Sequence, residues 1–256
     1  MLFRSAAVET APELVVAIHR AHVEAGAQVV TTNTLCAHAS DPVTTRRIAA
    51  AAVDLARQGA DDPRVCIAGS IGPVRGQPAA RRAAYREAAR SLADAGADIL
   101  LVETMVDPAE AALAVAAALE LDATTWLAIA CDETGRFVGG QPITALFDVL
   151  DTARLGALLV GCTAIAGLEP ALRGVASHVP DTVWRGAYPN TTGAGADLGV
   201  TLVRIARDHA LDVVGGCCGT DAAFLRTVAS ALHDEPAARS LAWTRLHEAT
   251  RSRREP

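Results

Sequence analysis

Two adjacent cysteines, Cys217 and Cys218, stand between glycines in the string Gly215-Gly216-Cys217-Cys218-Gly219-Thr220, directly after the apolar run Leu211-Asp212-Val213-Val214. Successive side chains of a regular strand point to opposite faces. Both thiols can therefore address one point only where the backbone turns, and the flanking glycines offer that freedom. A second apolar run ends similarly, at Leu158-Leu159-Val160-Gly161-Cys162-Thr163. Three thiols at two strand ends point to a zinc ion held by Cys162, Cys217 and Cys218, with its fourth position open as in catalytic rather than closed structural sites. The competing reading is a set of ordinary core cysteines, since free cysteine packs as a small apolar residue.

Such a site suits thiol chemistry. A free thiol, with a pKa near about 8.5, is mostly protonated at neutral pH. Coordination to zinc removes the proton, and soft sulfur ligands favour zinc over magnesium or calcium. Three cysteine thiolates leave the complex negative, so an incoming fourth thiolate keeps much of its nucleophilic character. No P-loop, dinucleotide fingerprint or His-Glu-x-x-His string is present, which leaves nucleotide and hydrolytic zinc chemistry unsupported.

The elements that must position these residues repeat in the order strand, helix. Short apolar runs recur near Gln28–Thr32, Val65–Gly69, Asp98–Glu103, Thr125–Ala130, Ala157–Gly161, Val183–Ala187 and Asp212–Gly215. Stretches of helical spacing lie between them, such as Pro12–Ala25 and Ala79–Ala95. This alternation predicts parallel βαβ units, seven in number, one short of an α/β (β/α)8 TIM-type barrel. Three of the intervening stretches end in a Gly-Ala step, at Gly26, Gly96 and Gly156, read as helix C-caps. With 256 residues and no composition break, one domain is expected over residues 1–234, followed by a helix and charged tail over 235–256. A formal charge of -6 argues against a nucleic-acid or anionic-membrane surface. Six cysteines in a chain this long suit a reducing compartment, and no apolar run approaches a membrane span or signal peptide, so the cytoplasm is expected.

With these residues in view, the chain resembles the homocysteine S-methyltransferase family, zinc-dependent barrels that also form the homocysteine module of cobalamin-dependent methionine synthase. The strings that carry the resemblance are Pro12 to Ala27, Thr31-Thr32-Asn33-Thr34, Ala68-Gly69-Ser70-Ile71-Gly72-Pro73, Gly96 to Thr104, Gly161-Cys162-Thr163, Tyr188-Pro189-Asn190 and the Cys-Cys string. The resemblance implies methyl transfer to homocysteine, with Cys162, Cys217 and Cys218 on Zn2+. The short chain favours a free sulfonium donor, S-methylmethionine or S-adenosylmethionine. Betaine is disfavoured because the segment that would form an aromatic cage is short and nearly free of aromatics.

Counting the missing strand as the first, Asn33, Glu103, Cys162 and the Cys-Cys pair fall at the C-terminal ends of alternate strands, where barrel enzymes carry their chemistry. Glu103 is the expected carboxylate for a substrate ammonium; its alternative is a rim or capping glutamate. Asn190 has two readings, a substrate or resting-zinc contact and a turn asparagine. Asn33 and Thr34 offer amide and hydroxyl contacts, and Ser70 shapes the pocket floor. Cys36 lies near a strand exit but off the zinc pattern. Cys66 and Cys131 read as core, His19 and His22 as structural, and His38 as a loop residue.

Three departures from the family pattern stand out. The opening strand with its Asp-Gly-Gly-type turn is lacking, and with it an acidic contact for the substrate amine. Gly161 occupies the place where the family has Asn. The segment Val74–Pro78 is short. The resemblance therefore leaves open a different acceptor thiol or selenol, a degenerate or partner-dependent homologue, a start upstream of Met1, and a second protomer across the open side of the barrel, an edge that proteins usually cover.

Overall fold

In the computed structural model the described residues are 3–37, 41–191 and 197–233. His38 and the expected tail over 235–256 lie outside them. The strands are β1 (Val29–Thr31), β2 (Cys66–Ile71), β3 (Ile99–Met105), β4 (Thr124–Ile129), β5 (Ala157–Ala164), β6 (Trp184–Asn190) and β7 (Val213–Val214). They form one parallel sheet in the order β1 to β7, so every connection is to the next neighbour. The helices are α1 (Phe3–Thr10), α2 (Pro12–Glu24), α3 (Pro42–Ala60), α4 (Pro78–Asp94), α5 (Pro108–Ala118), α6 (Thr144–Phe147), α7 (Ile165–Ala176), α8 (Asp197–Asp208) and α9 (Ala222–His233). This is a curled, seven-stranded barrel sheet wrapped by helices.

Local chemistry starts the helices cleanly. The helices α2, α3, α4 and α5 begin on Pro12, Pro42, Pro78 and Pro108. At that position the missing N–H has no intrahelical partner to lose. Asp41 and Asp107 cap α3 and α5 by accepting backbone N–H groups from Val43, Thr44 and Glu110. Gly26 and Gly96 follow α2 and α4 in the left-handed region, at φ 102° and 86°, as helix C-caps require. Gly156 departs from that expectation. It follows a 3-10 turn at Thr152–Arg154, and its value is space, because a Cβ there would lie 3.0 Å from the Trp126 indole nitrogen.

The two faces of the sheet carry different cores. Ile67, Leu100, Val102, Leu127, Ile129, Leu158 and Val160 pack outward against helix residues such as Leu92, Val115 and Leu168. Cys66, Ala68, Ile99, Leu101, Trp126, Ala128, Ala157 and Leu159 point inward and fill the lumen, with Trp184 and Tyr188 packed against them. That is the period-two pattern of a strand buried on both faces. Among the described residues β7 and β1 do not pair. The helices meet there instead: a Cβ added to Gly26 beside α2 would sit 2.8 Å from Ala229 of α9. Cys131, just past β4, bridges to Phe137 and is buried, as is Cys66. No helix of the described residues is long and apolar enough to cross a membrane.

His19 is buried in the α2–α3 contact, where Gly59 lets the helices approach. Burial, with some help from the charge of His22, lowers its pKa from 6.5 to about 4. The folded state thus holds a neutral imidazole that the unfolded chain protonates below pH 6.5. Stability contributed at neutral pH is therefore lost as pH falls through that window, by up to about 3 kcal/mol. Urea melts at pH 7 and pH 4.5 should show a smaller loss for His19→Gln, which cannot be protonated, than for the wild type. Equal losses would place the acid sensitivity elsewhere.

Candidate functional site

Followed to the C-terminal end of the barrel, the inward rows of four strands end in polar or small residues. Ser70 lies two positions past Ala68, Glu103 past Leu101, Gly161 past Leu159 and Tyr188 past Gly186. Alternation alone turns all four into the mouth. Glu103 receives two hydroxyl hydrogen bonds there: Ser70 Oγ donates to Oε1, and Tyr188 donates to Oε2 at 3.1 Å. Burial, reinforced by the Glu103 charge, pushes the Tyr188 phenol well above its usual range, so it keeps its proton and acts as a donor.

Cys162 would face outward on a regular strand. Instead β5 slips register between Gly161 and Ala164, and Cys162 takes a left-handed φ of 51°. Strand β3 slips likewise between Val102 and Met105, with Thr104 at φ 61°. Left-handed backbone is unusual for any side chain and most so for a β-branched one, and such strain concentrates at functional sites. The two irregularities meet, since Thr104 Oγ1 donates to Cys162 Sγ at 3.6 Å.

The Cys-Cys loop is anchored from β6. Cys217 N–H donates to the Pro189 carbonyl at 2.9 Å, and Thr191 N–H to the Cys218 carbonyl at 2.9 Å. Asn190 staples both cysteine segments, its Nδ2 donating to the Cys162 carbonyl at 2.8 Å and its Oδ1 accepting from Cys218 N–H at 3.1 Å. One of the flanking glycines acts as expected and another does not. Gly219 takes the left-handed turn at φ 83°, whereas Gly216 leaves room for the Thr220 side chain.

The Cys162, Cys217 and Cys218 sulfurs all lie within 4.8 Å of one another. Cys217 Sγ is 2.8 Å from Cys162 Sγ and 4.0 Å from Cys218 Sγ. Tetrahedral coordination with metal–sulfur bonds of about 2.3 Å sets sulfurs about 3.8 Å apart. The second spacing matches, and the first opens to it by a shift of about 1 Å, so the donor set fits a soft tetrahedral ion. Cys218 is exposed, which leaves one side of the cluster reachable. The thiols share protons unequally. A hydrogen bond from Cys217, against the opposing effect of burial, lowers Cys162 to about 7. The same bond and burial push Cys217 up. The Glu103 charge raises both thiols, so that carboxylate lies within electrostatic reach of the cluster.

Thr34 is buried beneath the mouth with its hydroxyl donating to the Ser70 carbonyl at 2.7 Å, and it ties β1 to β2. Asn33 sits half-buried in the turn after β1, and Cys36 three residues further on. Thr104 and Tyr188 are the neighbours that residue-by-residue reading passed over. Tyr188 had a signal, its place two residues before Asn190 on an inward row; Thr104 had none.

The sequence profile described as homocysteine S-methyltransferase matches residues 2–232. The chain belongs to that family. It is 30% identical over 259 residues to the methionine synthase of Mycobacterium tuberculosis, covering 88% of this chain and 22% of that protein. The methionine synthase of Mycobacterium leprae is 29% identical, again over 88% of this chain and 22% of that protein. The chain thus spans about a fifth of the length of these curated relatives. In fold it is similar to the homocysteine methyltransferase MmuM from Escherichia coli. The apo form superposes with a TM-score of 0.76 at 24% identity, covering 89% of this chain and 88% of that one. Its metallated form gives 0.75 over 90% and 88%.

In a family member built this way, the Asn190 staple sets the spacing of two of the thiol-bearing segments. Asn190→Ala removes both of its hydrogen bonds and should weaken metal binding by about 10- to 100-fold, as loss of supporting contacts around metal ligands typically does. Competition against a chromophoric zinc chelator reads this directly, and an unchanged affinity would confine Asn190 to local folding.

Proposed function

We propose that this protein transfers a methyl group from a sulfonium donor, S-methylmethionine or S-adenosylmethionine, to the thiol of homocysteine, forming methionine, with Zn2+ on Cys162, Cys217 and Cys218. The observation that carries this reading is the meeting, on one barrel rim, of three converging thiols and an oriented carboxylate. Bound there, zinc would supply a position at which the acceptor sulfur is held as a thiolate at neutral pH.

The chain's own residues do the rest. Glu103, oriented by Ser70 and Tyr188, takes the acceptor's ammonium group by a charge-assisted hydrogen bond and so sets where its sulfur lies. Thr104 holds Cys162 in its turned-in geometry. Asn33, on the β1 side of the mouth, completes the substrate wall, and Thr34 beneath it holds the Ser70 backbone in place. The acceptor sulfur forms the new bond to the methyl carbon while the donor's carbon–sulfur bond breaks and its electron pair leaves with the donor sulfur. A cationic donor suits this mouth, since the groups that converge on it are a carboxylate, thiols and neutral hydroxyls. All six cysteines are free, which supports a reducing cytoplasm as the setting. That a relative of the same fold has a metallated form also supports a metal here.

Purified under reducing conditions, the protein should carry about one zinc per chain, and the Cys217→Ala/Cys218→Ala double variant should carry none. Retention of zinc by that variant would end the reading. Glu103→Gln should keep the zinc and raise the KM for homocysteine roughly ten- to hundredfold, the effect expected of losing a hydrogen bond to a charged group. An unchanged KM would make Glu103 a rim residue.

We further propose a second copy of this chain as a partner on the side where β1 and β7 are not paired with each other and α2 meets α9. Light scattering after size exclusion should read a dimer; a monomer at all concentrations removes this part of the proposal.

A further inference from the structure

The Tyr188 ring is unusually placed for a strand residue. Its register partner on β5 is Gly161, and on the other side the pairing of Ala187 with Val214 sets it beside Gly215. Both lateral neighbours are therefore glycines. Gly161 does not use its backbone freedom, since its φ is not among the positive ones. It is buried, and a Cβ built there would clash with the edge of the Tyr188 ring at Cζ, with the phenol oxygen 2.6 Å away. A side chain at position 161 and this orientation of Tyr188 exclude each other. The ring leans over β5 into the notch that Gly161 leaves and so reaches Glu103 on β3 with its hydroxyl.

We propose that Gly161 and Tyr188 act as one unit: Tyr188 is the positioning residue that aims Glu103 at the acceptor's amino group, and Gly161 is the specificity determinant that admits it. The proposal rests on the homocysteine reading and extends it to the selection of the acceptor. Ser70 and Tyr188 hold different oxygens of the carboxylate from two sides, so its plane is set before substrate arrives. A preoriented carboxylate favours an acceptor carrying an ammonium group at a set distance from its thiol over a thiol without one.

The test is calorimetric titration of zinc-loaded protein with homocysteine and with 4-mercaptobutanoate, the same thiol acid without its amine. Tyr188→Phe keeps the ring and removes only the hydroxyl. It should weaken homocysteine binding about tenfold while changing 4-mercaptobutanoate by less than about twofold, with zinc content unchanged. In a Glu103→Gln background the same substitution should cost less than about twofold, because its effect runs through the carboxylate. Gly161→Ala, which must displace the ring, should match Tyr188→Phe; if it fails to fold, the Tyr188 series decides alone. Equal weakening of both thiols, or a full tenfold cost retained without Glu103, would overturn the inference and leave the homocysteine reading standing. No binding of homocysteine by the zinc-loaded wild type would overturn both.

Discussion

Bringing three thiols to one point is the constraint to which the rest of the mouth answers. A parallel strand delivers every second residue to the lumen and denies it the residue between. Ser70, Glu103, Gly161 and Tyr188 arrive by that rule, whereas Cys162 does not. Its sulfur joins those of Cys217 and Cys218 because β5 breaks register and turns it through left-handed backbone. The strain of that turn is met by neighbours: Thr104, in a matching irregularity of β3, binds the sulfur, and Asn190 binds the carbonyl. Glycine would take such a φ without cost; with a cysteine in that place, the surrounding hydrogen bonds must hold the conformation.

The same logic explains why β6 matters more than its single ring suggests. Pro189 and Asn190 pin the Cys-Cys loop by backbone and amide, and Tyr188, from the same three residues, pins Glu103. One short string thus fixes the three-thiol half and the carboxylate half of the site to a common strand. Register between them cannot drift without breaking several hydrogen bonds at once, which is how a rigid element gives precision to groups that come from four separate strands.

Much of this was legible in the residues. Each of the seven expected apolar runs overlaps an observed strand, and the run ending at Glu103 placed that carboxylate at the C-terminal end of its strand. The glycine-boxed cysteines announced a turn. What could not be read was which backbone breaks. Nothing in Val102-Glu103-Thr104-Met105 distinguishes a bulged strand from a straight one, because Thr104 is a good strand residue forced into a conformation it disfavours. Gly161 likewise stood out only as a departure from the family's Asn, yet it lies against a ring 27 positions later that only the fold brings alongside. Gly156, taken for a helix cap, also turned out to be about room for an aromatic side chain.

Charge ties the site to the reaction proposed for it. Glu103 raises the proton affinity of the nearby thiols, an unfavourable proximity that a folded protein keeps only if something offsets it. Ser70 and Tyr188 stabilise the carboxylate with neutral dipoles and leave its charge uncancelled. The mouth is thereby left with a standing attraction for cations, strongest where water is excluded. In the proposed reaction an acceptor ammonium would answer the Glu103 end, and a sulfonium donor the thiol end. When the methyl group moves, a cation and a thiolate become two neutral thioethers, so the attraction that gathered the reactants at the thiols falls away as the products form. On this proposal the carboxylate would keep its hold on the ammonium throughout, which would place the change in binding at the sulfur, where the chemistry occurs.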